Sequence, residues 1–456
     1  MTESYEPLYT AAEMRAAEEA YPRYPDSIPE LMERAGTAVA NEAMRAFPAA
    51  RSFACVCGGG SNGGDGRVAA RVLREAGHVA EETHDDLDGY DVVVDALFGT
   101  GFRGAPRPEA ADVIARLNAA GGRVVAVDVP SGVDASTGEV EGEAVEADLT
   151  VTFHAPKVGL AVAPGRFYAG DVVVADIGLE GAHTSVRRAL PGLLEGLPRR
   201  SARDTKYTAG SVLVVGGQPG TTGAACLTAM AALRADAGYA TLAVPAEALA
   251  AAEALALEPV KLGWSDDDAL RVLEEAAKRA SAVAIGPGLG RSEARRSLVR
   301  ELLERIDLPA VVDADGLFGL EPVGRAAPTI LTPHAGELAR LLERDAGWVG
   351  AHRLEAARTA AEKFAAVVLL KGADTLVAAP DGSAVVCDTG PPALATAGTG
   401  DVLTGVVASF LSKGLDALTA ASAAAIAHGQ SARLVPYQAG LVASDLLETL
   451  PAALGV

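Results

Sequence analysis

The stretch Ser-Val-Leu-Val-Val-Gly-Gly at residues 211–217 predicts how the second half of this chain folds. Its apolar, β-branched residues are typical of a buried strand, the two glycines end that strand, and a helical pattern follows at 222–237. Strand and helix return at 282–288 and 293–305. Further strands are predicted at 309–316, 329–336 and 366–372, with two helices closing the chain. Strands that alternate with helices form a parallel sheet covered on both faces.

The first half of the chain shows the same alternation. Two Ala-rich helices are predicted near 10–21 and 27–46, and then strands at 52–57, 91–97, 123–129, 149–154 and 171–176, with helices at 65–76 and 109–119. Between residues 180 and 204 this pattern dissolves, which is typical of a domain boundary. We therefore predict an α/β protein of two three-layer α/β/α domains, residues 1–200 and 201–456.

The composition of the chain argues against some binding partners and indicates where the protein is located. The 456 residues carry a formal net charge of −21, which argues against nonspecific binding to nucleic acid or to an anionic membrane. The N-terminus lacks the apolar segment of a signal peptide, and apolar runs elsewhere are too short to span a membrane, so we expect a cytoplasmic protein. The four cysteines show no metal-binding or redox spacing and are predicted to be buried thiols, and His428 is predicted to be packed.

Residues 396–405, Thr-Ala-Gly-Thr-Gly-Asp-Val-Leu-Thr-Gly, point to phosphoryl chemistry. Small residues leave backbone N–H groups accessible at the start of an apolar helix, and such a helix N-terminus attracts phosphate oxygens. The same field is expected to keep Asp401 ionised, so that it accepts a proton from a hydroxyl while Gly398–Gly400 hold a phosphoryl group. The alternative is an ordinary aspartate in a first helical turn.

Several motifs in a fixed order resemble a known family. SVLVVGG (211–217), IGPGLG (285–290), VVDADGL (311–317), ILTPHAGELARLL (330–342), VVLLKGADTLVA (367–378) and TAGTGDVLTG resemble the ribokinase-like, ADP-dependent NAD(P)H-hydrate dehydratases. GGGSNGGDGRVAAR (58–71), AVDVPSGVDASTG (126–138) and TVTFHAPKVGL (150–160) resemble the NAD(P)H-hydrate epimerase domain, which is usually fused ahead of that dehydratase. The resemblance spans about residues 10–450. It implies a Rossmann-like N-terminal and a ribokinase-like C-terminal domain.

The resemblance also implies an activity. Such enzymes repair hydrated NADH and NADPH: the first domain interconverts the R and S hydrates, and the second dehydrates the S form while ADP is hydrolysed to AMP and phosphate. It implies ADP (with ATP as the alternative), Mg²⁺ and K⁺ as cofactors, no nucleic-acid or membrane partner, and a homo-oligomer. Two rival functions are open: a small-molecule kinase of the ribokinase-like group, and an N-terminal half that only binds or scaffolds.

Motif matching assigns residues to the dehydratase site. Its catalytic residue is Asp401. The substrate is contacted by Ala224, Gly288, Gly290, His334 and Asp401, and ADP by Lys371, Gly372, Ala373, Asp374, Thr375, Gly398, Thr399 and Gly400. Glu337 would help to place the metal. Three of these assignments have a simpler alternative. Residues 371–375 could form an ordinary strand–turn–strand hairpin, His334 could be structural, and Gly288 and Gly290 could belong to a plain turn around Pro287. Asp313 and Asp315 would support a metal or cap a helix, the cap being favoured.

The same matching assigns the epimerase site. Substrate contacts are Ser61, Asn62, Gly63, Gly64, Asp65, Gly132, Val133, Asp134, Ala135, Ser136, Thr137, Gly138 and the weaker match Asp148, and the potassium ligands are Asn62, Asp128 and Thr152. Asp65 and Asp128 are the candidate acid–base pair, although Asp65 could be only a helix N-cap. Three positions depart from the family pattern: Ser61 replaces Asn, Ala335 replaces Pro, and 219–222 lack the usual aromatic or Met-Ser.

Overall fold

The computed structural model describes residues 4–181 and 183–455. Residues 1–3 of the predicted N-terminal segment, residue 182 of the predicted boundary and residue 456 lie outside the described residues. The chain divides into two compact units. The N-terminal unit contains residues 7–187 and 350–352, and the C-terminal unit contains 188–349, 353 onwards, and Glu6 with the described residues before it. The change of unit at Arg187 falls inside the stretch where the sequence pattern dissolves.

The first part of the chain forms the six-stranded N-terminal sheet and its helices, preceded by β1, a strand of the eleven-stranded sheet. In order these are β1 (Tyr5–Leu8), α1 (Ala11–Glu19), α2 (Ile28–Ala46), β2 (Ser52–Cys57), α3 (Ser61–Glu75), β3 (Val79–Glu82), β4 (Val92–Ala96), α4 (Pro108–Ala119), β5 (Arg123–Val127), β6 (Leu149–Phe153) and β7 (Asp171–Ala175). Six strands pair in the order β3-β2-β4-β5-β6-β7, all parallel.

Alternating residues of the central strands bury both faces of this sheet. In β2, Phe53, Cys55 and Cys57 pack towards α1, α2 and α3, whereas Ala54 and Val56 pack towards α4. The prediction of a three-layer α/β/α arrangement is therefore confirmed for this unit. It also explains the Cys-Val-Cys spacing, because residues two apart in a strand share a face. All four cysteines of the chain are buried thiols, as predicted.

The second part of the chain forms a larger mixed sheet. Its elements are β8 (Val186–Ala189), β9 (Ser211–Val215), α5 (Thr222–Arg234), β10 (Tyr239–Pro245), α6 (Leu249–Leu255), β11 (Val260–Trp264), α7 (Ala269–Ala277), β12 (Ala282–Ile285), α8 (Glu293–Arg305), β13 (Ala310–Val312), β14 (Thr329–Leu331), α9 (Ala335–Leu342), α10 (Ala346–Ala351), α11 (Arg353–Phe364), β15 (Val367–Leu370), β16 (Thr375–Ala378), β17 (Ala384–Cys387), α12 (Thr399–Ser412), α13 (Ala417–Leu434) and α14 (Ala443–Ala453). Eleven strands follow the order β1-β8-β17-β16-β15-β14-β13-β12-β9-β10-β11, with β9 to β15 parallel and β15, β16 and β17 antiparallel.

The main departures from the sequence-based elements have local causes. Strand β3 was missed because only one of its four residues is buried. Strand β8 lies in the stretch that the sequence predicts as a domain boundary. The sequence predicts no strand at β10 or β11, which lie on either side of the Ala-rich helix α6. Three helices, not two, close the chain, since α14 follows α13 after a short loop. Helix α3 begins at Ser61, four residues earlier than predicted.

Helices α12 and α13 are buried on nearly all sides. Most residues of α12 are buried, and α13 buries His428, which is 7% exposed. Burial lowers the pKa of His428 to about 4, so this imidazole is neutral at pH 7 and the prediction of a packed residue is confirmed. Within the described residues every helix is too short or too polar to cross a bilayer.

The contact between α12 and α5 depends on Gly405. A methyl group at this position would lie 2.2 Å from the Thr228 carbonyl oxygen and 2.7 Å from the Ala231 side chain. The two helix backbones therefore approach too closely for any larger residue, and this approach fixes where the N-terminus of α12 stands relative to α5.

We predict that Gly405→Ala lowers the free energy of unfolding of the C-terminal unit by about 1–3 kcal/mol, because the backbones must separate. Urea titration monitored by fluorescence of Trp264 and Trp348, both in that unit, measures the change. Gly223→Ala is the matched control, because this helical glycine of α5 has open space around its Cα. An equal shift of the two midpoints would contradict the assigned contact.

Candidate functional site

The C-terminal unit gathers polar residues at the carboxyl ends of its neighbouring parallel strands. Asp313 follows β13, the segment Thr332–His334 follows β14, and Lys371 follows β15. Helix α12 begins at the same edge, because a methyl group on Gly400 would lie 3.4 Å from Lys371 Nζ. Ligands of open α/β folds bind at this edge. The structure therefore brings the 371–375 and 396–405 motifs together, as the sequence prediction required.

Lys371 is the charged centre of this edge. Its ammonium donates to Asp313 Oδ1 at 2.9 Å and lies 4.0 Å from a Glu337 carboxylate oxygen. Burial opposes its charge, but Asp313 and then Glu337 outweigh burial and raise the pKa of Lys371. The segment is a β15–β16 turn, as the simpler interpretation had it, yet the lysine side chain is 21% exposed and paired with Asp313. It is a fixed cation.

Asp313 anchors this cation. Its carboxylate is 1% exposed, and its second oxygen Oδ2 accepts from the Thr404 hydroxyl of α12 at 2.7 Å. Asp313 is the N-cap residue of the short 3-10 helix Ala314–Leu317, as the favoured prediction had it, but its side chain makes no capping hydrogen bond because the carboxylate is bonded to Lys371 and Thr404. Asp315 instead accepts from the Gly290 N–H at 2.9 Å and from Arg291 Nε at 2.7 Å, which fixes the 286–290 loop.

Asp401 lies in the first turn of α12, and its environment differs from the prediction. Burial, reinforced by Asp313, raises the pKa of Asp401 to about 7, although Lys371 acts in the opposite direction. The helix field that was expected to keep this carboxyl ionised is opposed by desolvation and by a neighbouring carboxylate, so that the group is partly protonated at neutral pH. A carboxyl group that titrates near neutrality is suited to proton transfer.

The start of α12 is held by its own loop. Gly398, the N-cap, has φ 89°, a left-handed conformation that favours glycine. The Thr399 hydroxyl donates to the carbonyl oxygens of Leu394 and Thr396, both at 2.8 Å. The side chain of Thr399 therefore supports the loop, and contact with an anion is left to the backbone N–H groups of the first turn.

His334 and Glu337 form the N-terminal cap of α9. His334 Nδ1 accepts from the N–H groups of Gly336 and Glu337, and the Glu337 carboxylate accepts from the His334 N–H at 2.9 Å. Because Nδ1 is an acceptor, the neutral ring carries its proton on Nε2. Nδ1 of His334 therefore has the structural role that the simpler interpretation gave to this residue. The rest of the ring is accessible, because the side chain is 57% exposed.

The other residues of the predicted dehydratase site mostly stabilise the local turns. Asp374 is 1% exposed and pairs with Arg353 Nε at 2.9 Å, and the Thr375 hydroxyl donates to the Gly372 carbonyl, so both side chains stabilise the turn. Gly372 and Ala373 are exposed. Gly288 packs against the Thr221 backbone and Gly290 against Gln218, which supports the plain-turn interpretation. Ala224 is the third residue of α5.

In the N-terminal unit the Gly-rich loop opens α3 as predicted. Ser61 is its first residue and Gly60 its N-cap, so the N–H groups of residues 61–63 point out of the helix end. The Asn62 amide donates to the Phe98 carbonyl at 2.8 Å. Asp65 is the fifth helical residue, and the alternative that it caps the helix is wrong. Burial, Asp128 and Glu18 raise the pKa of Asp65 to about 8.

Asp128 is an ion-paired carboxylate. Its Oδ1 lies 2.7 Å from Lys157 Nζ and accepts from the Thr152 hydroxyl at 3.0 Å. Lys157 is fully buried and also donates to Thr152 Oγ1 and to the carbonyls of Phe153 and Ala155. The sequence motif at 150–160 contains Lys157, but no role was predicted for it. Its position shortly after β6, the strand that carries the predicted ligand Thr152, is the feature that could have identified it.

A buried carboxylate that sequence reasoning also missed connects three loops at this edge. Asp95, at 0% exposure in β4, accepts from the Ser131 N–H and hydroxyl at 2.8 and 2.7 Å. The Ser131 hydroxyl oxygen accepts from the Phe98 N–H, and Phe98 in turn accepts from Asn62. Burial raises the pKa of Asp95 to about 6. Through this network Asp95 fixes the position of Asn62.

The predicted substrate loop 132–138 is ordered mostly by its own contacts. The Asp134 carboxylate accepts from the N–H groups of Ser136 and Thr137, while Val133 and Ala135 are 1% exposed. Gly132 and Gly138 are buried as well, whereas Ser136 and Thr137 are half-buried. Asp148 binds Arg123 and the Val124 N–H before β6, about 13 Å along the strand from Thr152. The structure therefore does not bring Asp148 to the others.

Comparison with known proteins identifies both halves. The family described as NAD(P)H-hydrate dehydratase matches residues 212–452, and the YjeF-related protein N-terminus matches residues 29–81 and 76–159. A bifunctional NAD(P)H-hydrate repair enzyme of Moorella thermoacetica is 40% identical, over 97% of this chain and 96% of that protein.

Solved structures resemble the C-terminal unit. An ADP/ATP-dependent NAD(P)H-hydrate dehydratase from Bacillus subtilis, co-crystallised with ATP and Mg²⁺, superposes with a TM-score of 0.52 at 31% identity, covering 57% of this chain and 94% of that chain. A ribokinase-like superfamily protein from Enterococcus faecalis superposes with a TM-score of 0.53 at 20% identity, covering 60% and 98%, which bears on the fold alone.

The charges around Asp401 predict opposite responses to two substitutions. Lys371→Met removes the cation that favours the ionised carboxylate, so the pKa of Asp401 rises above about 7. Asp313→Asn removes a like charge, so this pKa falls. Carbon-13 NMR titration of labelled aspartate, assigned through Asp401→Asn, measures both shifts. Shifts in the same direction would contradict the arrangement described.

Proposed function

The chain belongs to the family of bifunctional NAD(P)H-hydrate repair enzymes, and from this membership we propose what each unit does. The N-terminal unit interconverts the R and S hydrates of NADH and NADPH. The C-terminal unit dehydrates the S form at the expense of ADP, with ATP as the alternative nucleotide. The resemblance noted in the sequence is thus confirmed at the level of the family. The domain limit at residue 200, the cytoplasmic location and the homo-oligomer stay predictions.

The chemistry of the substrate explains the need for a kinase-like site. Hydrated nicotinamide carries a hydroxyl at C6 beside the ring nitrogen, and hydroxide is a poor leaving group. Transfer of the terminal phosphoryl group of ADP to this oxygen gives a phosphate ester and AMP. The nitrogen lone pair then expels phosphate, and loss of a proton from C5 restores the dihydropyridine. Phosphate, AMP and the reduced dinucleotide are the products.

Asp401 carries this proposal. At the start of α12 it is the carboxyl group that takes the proton of the C6 hydroxyl as the phosphoryl group arrives, and its pKa near 7 suits that step. Lys371, fixed by Asp313, places a positive charge beside Gly400 at the same helix end. Asp401 thus provides a proton acceptor, and Lys371 with the N-terminus of α12 provides a site for an anion.

Magnesium fits this edge only together with a nucleotide. Among the described residues no cluster of three or more His, Cys, Asp or Glu side chains is placed to hold a metal. Mg²⁺ normally needs one or two carboxylates plus substrate phosphates, and Glu337 is the residue that would help to hold it. When bound, the ion would neutralise charge on the transferring phosphoryl group.

In the N-terminal unit we assign the proton-donating role to Asp65. With its pKa near 8, this carboxyl is protonated at neutral pH and can protonate the departing C6 hydroxyl. The oxygens of Asp128 and Thr152, implied as potassium ligands, are already bonded to the Lys157 ammonium. They do not fit a potassium ion in this arrangement, and we assign no step to it.

We predict that Asp401→Asn slows dehydration of the S hydrate by about 10²–10⁴-fold and leaves R/S interconversion unchanged. Phosphorus NMR with ADP and Mg²⁺, run alongside nicotinamide absorbance, should show one phosphate released per reduced dinucleotide formed by the parent protein. Asp416→Asn, which alters an exposed N-cap of α13, is the control. A stable phosphorylated alcohol in place of phosphate would instead support the small-molecule kinase.

We predict a separate effect of Asp65→Asn. The amide cannot donate a carboxyl proton, so enzymatic interconversion of the hydrates falls about 10²–10⁴-fold while dehydration of the S form continues. Chromatography of the two epimers without nucleotide isolates this step. If the parent protein fails to accelerate interconversion, the N-terminal unit is a scaffold, and the proposal for that unit fails.

A further inference from the structure

A cavity in the N-terminal unit adds a third carboxyl group to the epimerase site. Its volume is about 260 Å³, and its lining includes Ser61 and Asp65 of α3 and Glu18 of α1. Arg15 and Glu19 of α1 line the cavity as well, together with apolar side chains such as Met32 and Phe153. A cavity that combines apolar side chains with converging polar groups is suited to a flat ring with polar substituents, such as reduced nicotinamide. Glu18 belongs to no motif by which the sequence predicted a site.

Helix α1 is fastened to the loops of the site. The Ala11 N–H donates to the hydroxyl oxygen of Ser136 in the predicted substrate loop at 3.0 Å. Tyr9, just before the helix, pairs through its backbone with the segment that carries Lys157. The Thr10–Glu13 capping box then fixes the helix start. Glu18, in the last turn, is therefore held relative to the site by contacts at the other end of a short, rigid helix.

The charges in this region divide into a compensated and an uncompensated set. Asp128 has its counter-ion in Lys157, at 2.7 Å. Burial and then Asp128 raise the pKa of Glu18, opposed by Lys157 and Arg15 and reinforced by Glu19. Glu18 in turn helps to raise the pKa of Asp65. The negative charge of Glu18 therefore favours the protonated form of Asp65.

We propose that Glu18 is the second acid–base residue of the epimerase and takes the place that the sequence gave to Asp128. This inference rests on the function proposed for the N-terminal unit. Protonated Asp65 gives its proton to the C6 hydroxyl, the C6–O bond breaks as the nitrogen lone pair forms the C6–N double bond, and water leaves. Water then adds to the other face of C6 and yields its proton to the Glu18 carboxylate.

The roles of the two carboxyls exchange in the reverse direction, and the reaction needs no oxidant or reductant. Inversion at C6 requires groups on both faces of the ring, and two different helices, α1 and α3, each supply one carboxyl to the lining of the cavity. Asp128 is less suited to this role, because a proton on it would break the ion pair with fully buried Lys157.

The test compares Glu18→Gln with the parent chain, using the R hydrate of NADPH without nucleotide and separating epimers by chromatography. We expect kcat to fall about 10²–10⁴-fold with little change in KM. The low-pH limb of the rate profile, set by ionisation of Glu18, disappears. The high-pH limb, set by Asp65, moves to lower pH because a like charge is lost. Glu109→Gln, an exposed acid of α4 on the other face of the sheet, should match the parent.

Folding is checked by calorimetric binding of NADPH, which we expect to be unchanged within about threefold in Glu18→Gln. Parent-like kcat and pH profile in this variant, or a rise in KM alone, would overturn the role of Glu18 while leaving the epimerase function intact. If Glu18→Gln does not bind NADPH, Glu18→Asp decides: a slower enzyme with a displaced low-pH limb supports the proposal, and a parent-like profile overturns it. Failure of the parent itself to interconvert the epimers would refute the proposed function instead.

Discussion

Each unit places a buried lysine–aspartate pair at the carboxyl edge of its sheet, and the rest of each site is arranged around that pair. Lys157 neutralises Asp128 in one unit, and Lys371 neutralises Asp313 in the other. Neither charge would remain buried without its partner, because an isolated ion in a protein interior costs several kcal/mol. The pair therefore keeps strand ends and neighbouring loops in one relative position, and it sets the field in which a further carboxyl titrates.

The fold was accessible from sequence because it depends on local repetition. Alternating apolar residues in 52–57 and 211–217 bury both faces of a strand, and the following helical patterns leave a parallel sheet as the arrangement that covers them. The prediction of two α/β/α domains is confirmed for this reason. The strands that were missed, such as β3, are short edge elements whose sequence carries little periodic signal.

The residues of the candidate sites could be predicted only where a single segment of the sequence contains them. The loop 396–405 and the start of α3 each combine glycines, a carboxylate and a helix start, and both lie at the expected sheet edge. The rise in the pKa of Asp401 could not be predicted, because a helix N-terminus is visible in sequence whereas burial and Asp313, 88 residues away, are not. Lys157 and Glu18 were missed for the same reason, since their partners lie on other elements.

Asp65 and Asp401, the carboxyls to which opposite proton transfers are assigned, differ in the charges around them. Asp65 shares its space with the acidic groups Asp128 and Glu18, which add to burial in raising its pKa to about 8. Asp401 has a cation, Lys371, among its neighbours, and this cation opposes the burial and the acidic groups that raise its pKa to about 7. Burial therefore raises both pKa values, while the sheet edge of each unit supplies a different set of neighbouring charges. In the proposed functions, a donor role goes with the acidic surroundings and an acceptor role with the neighbouring cation.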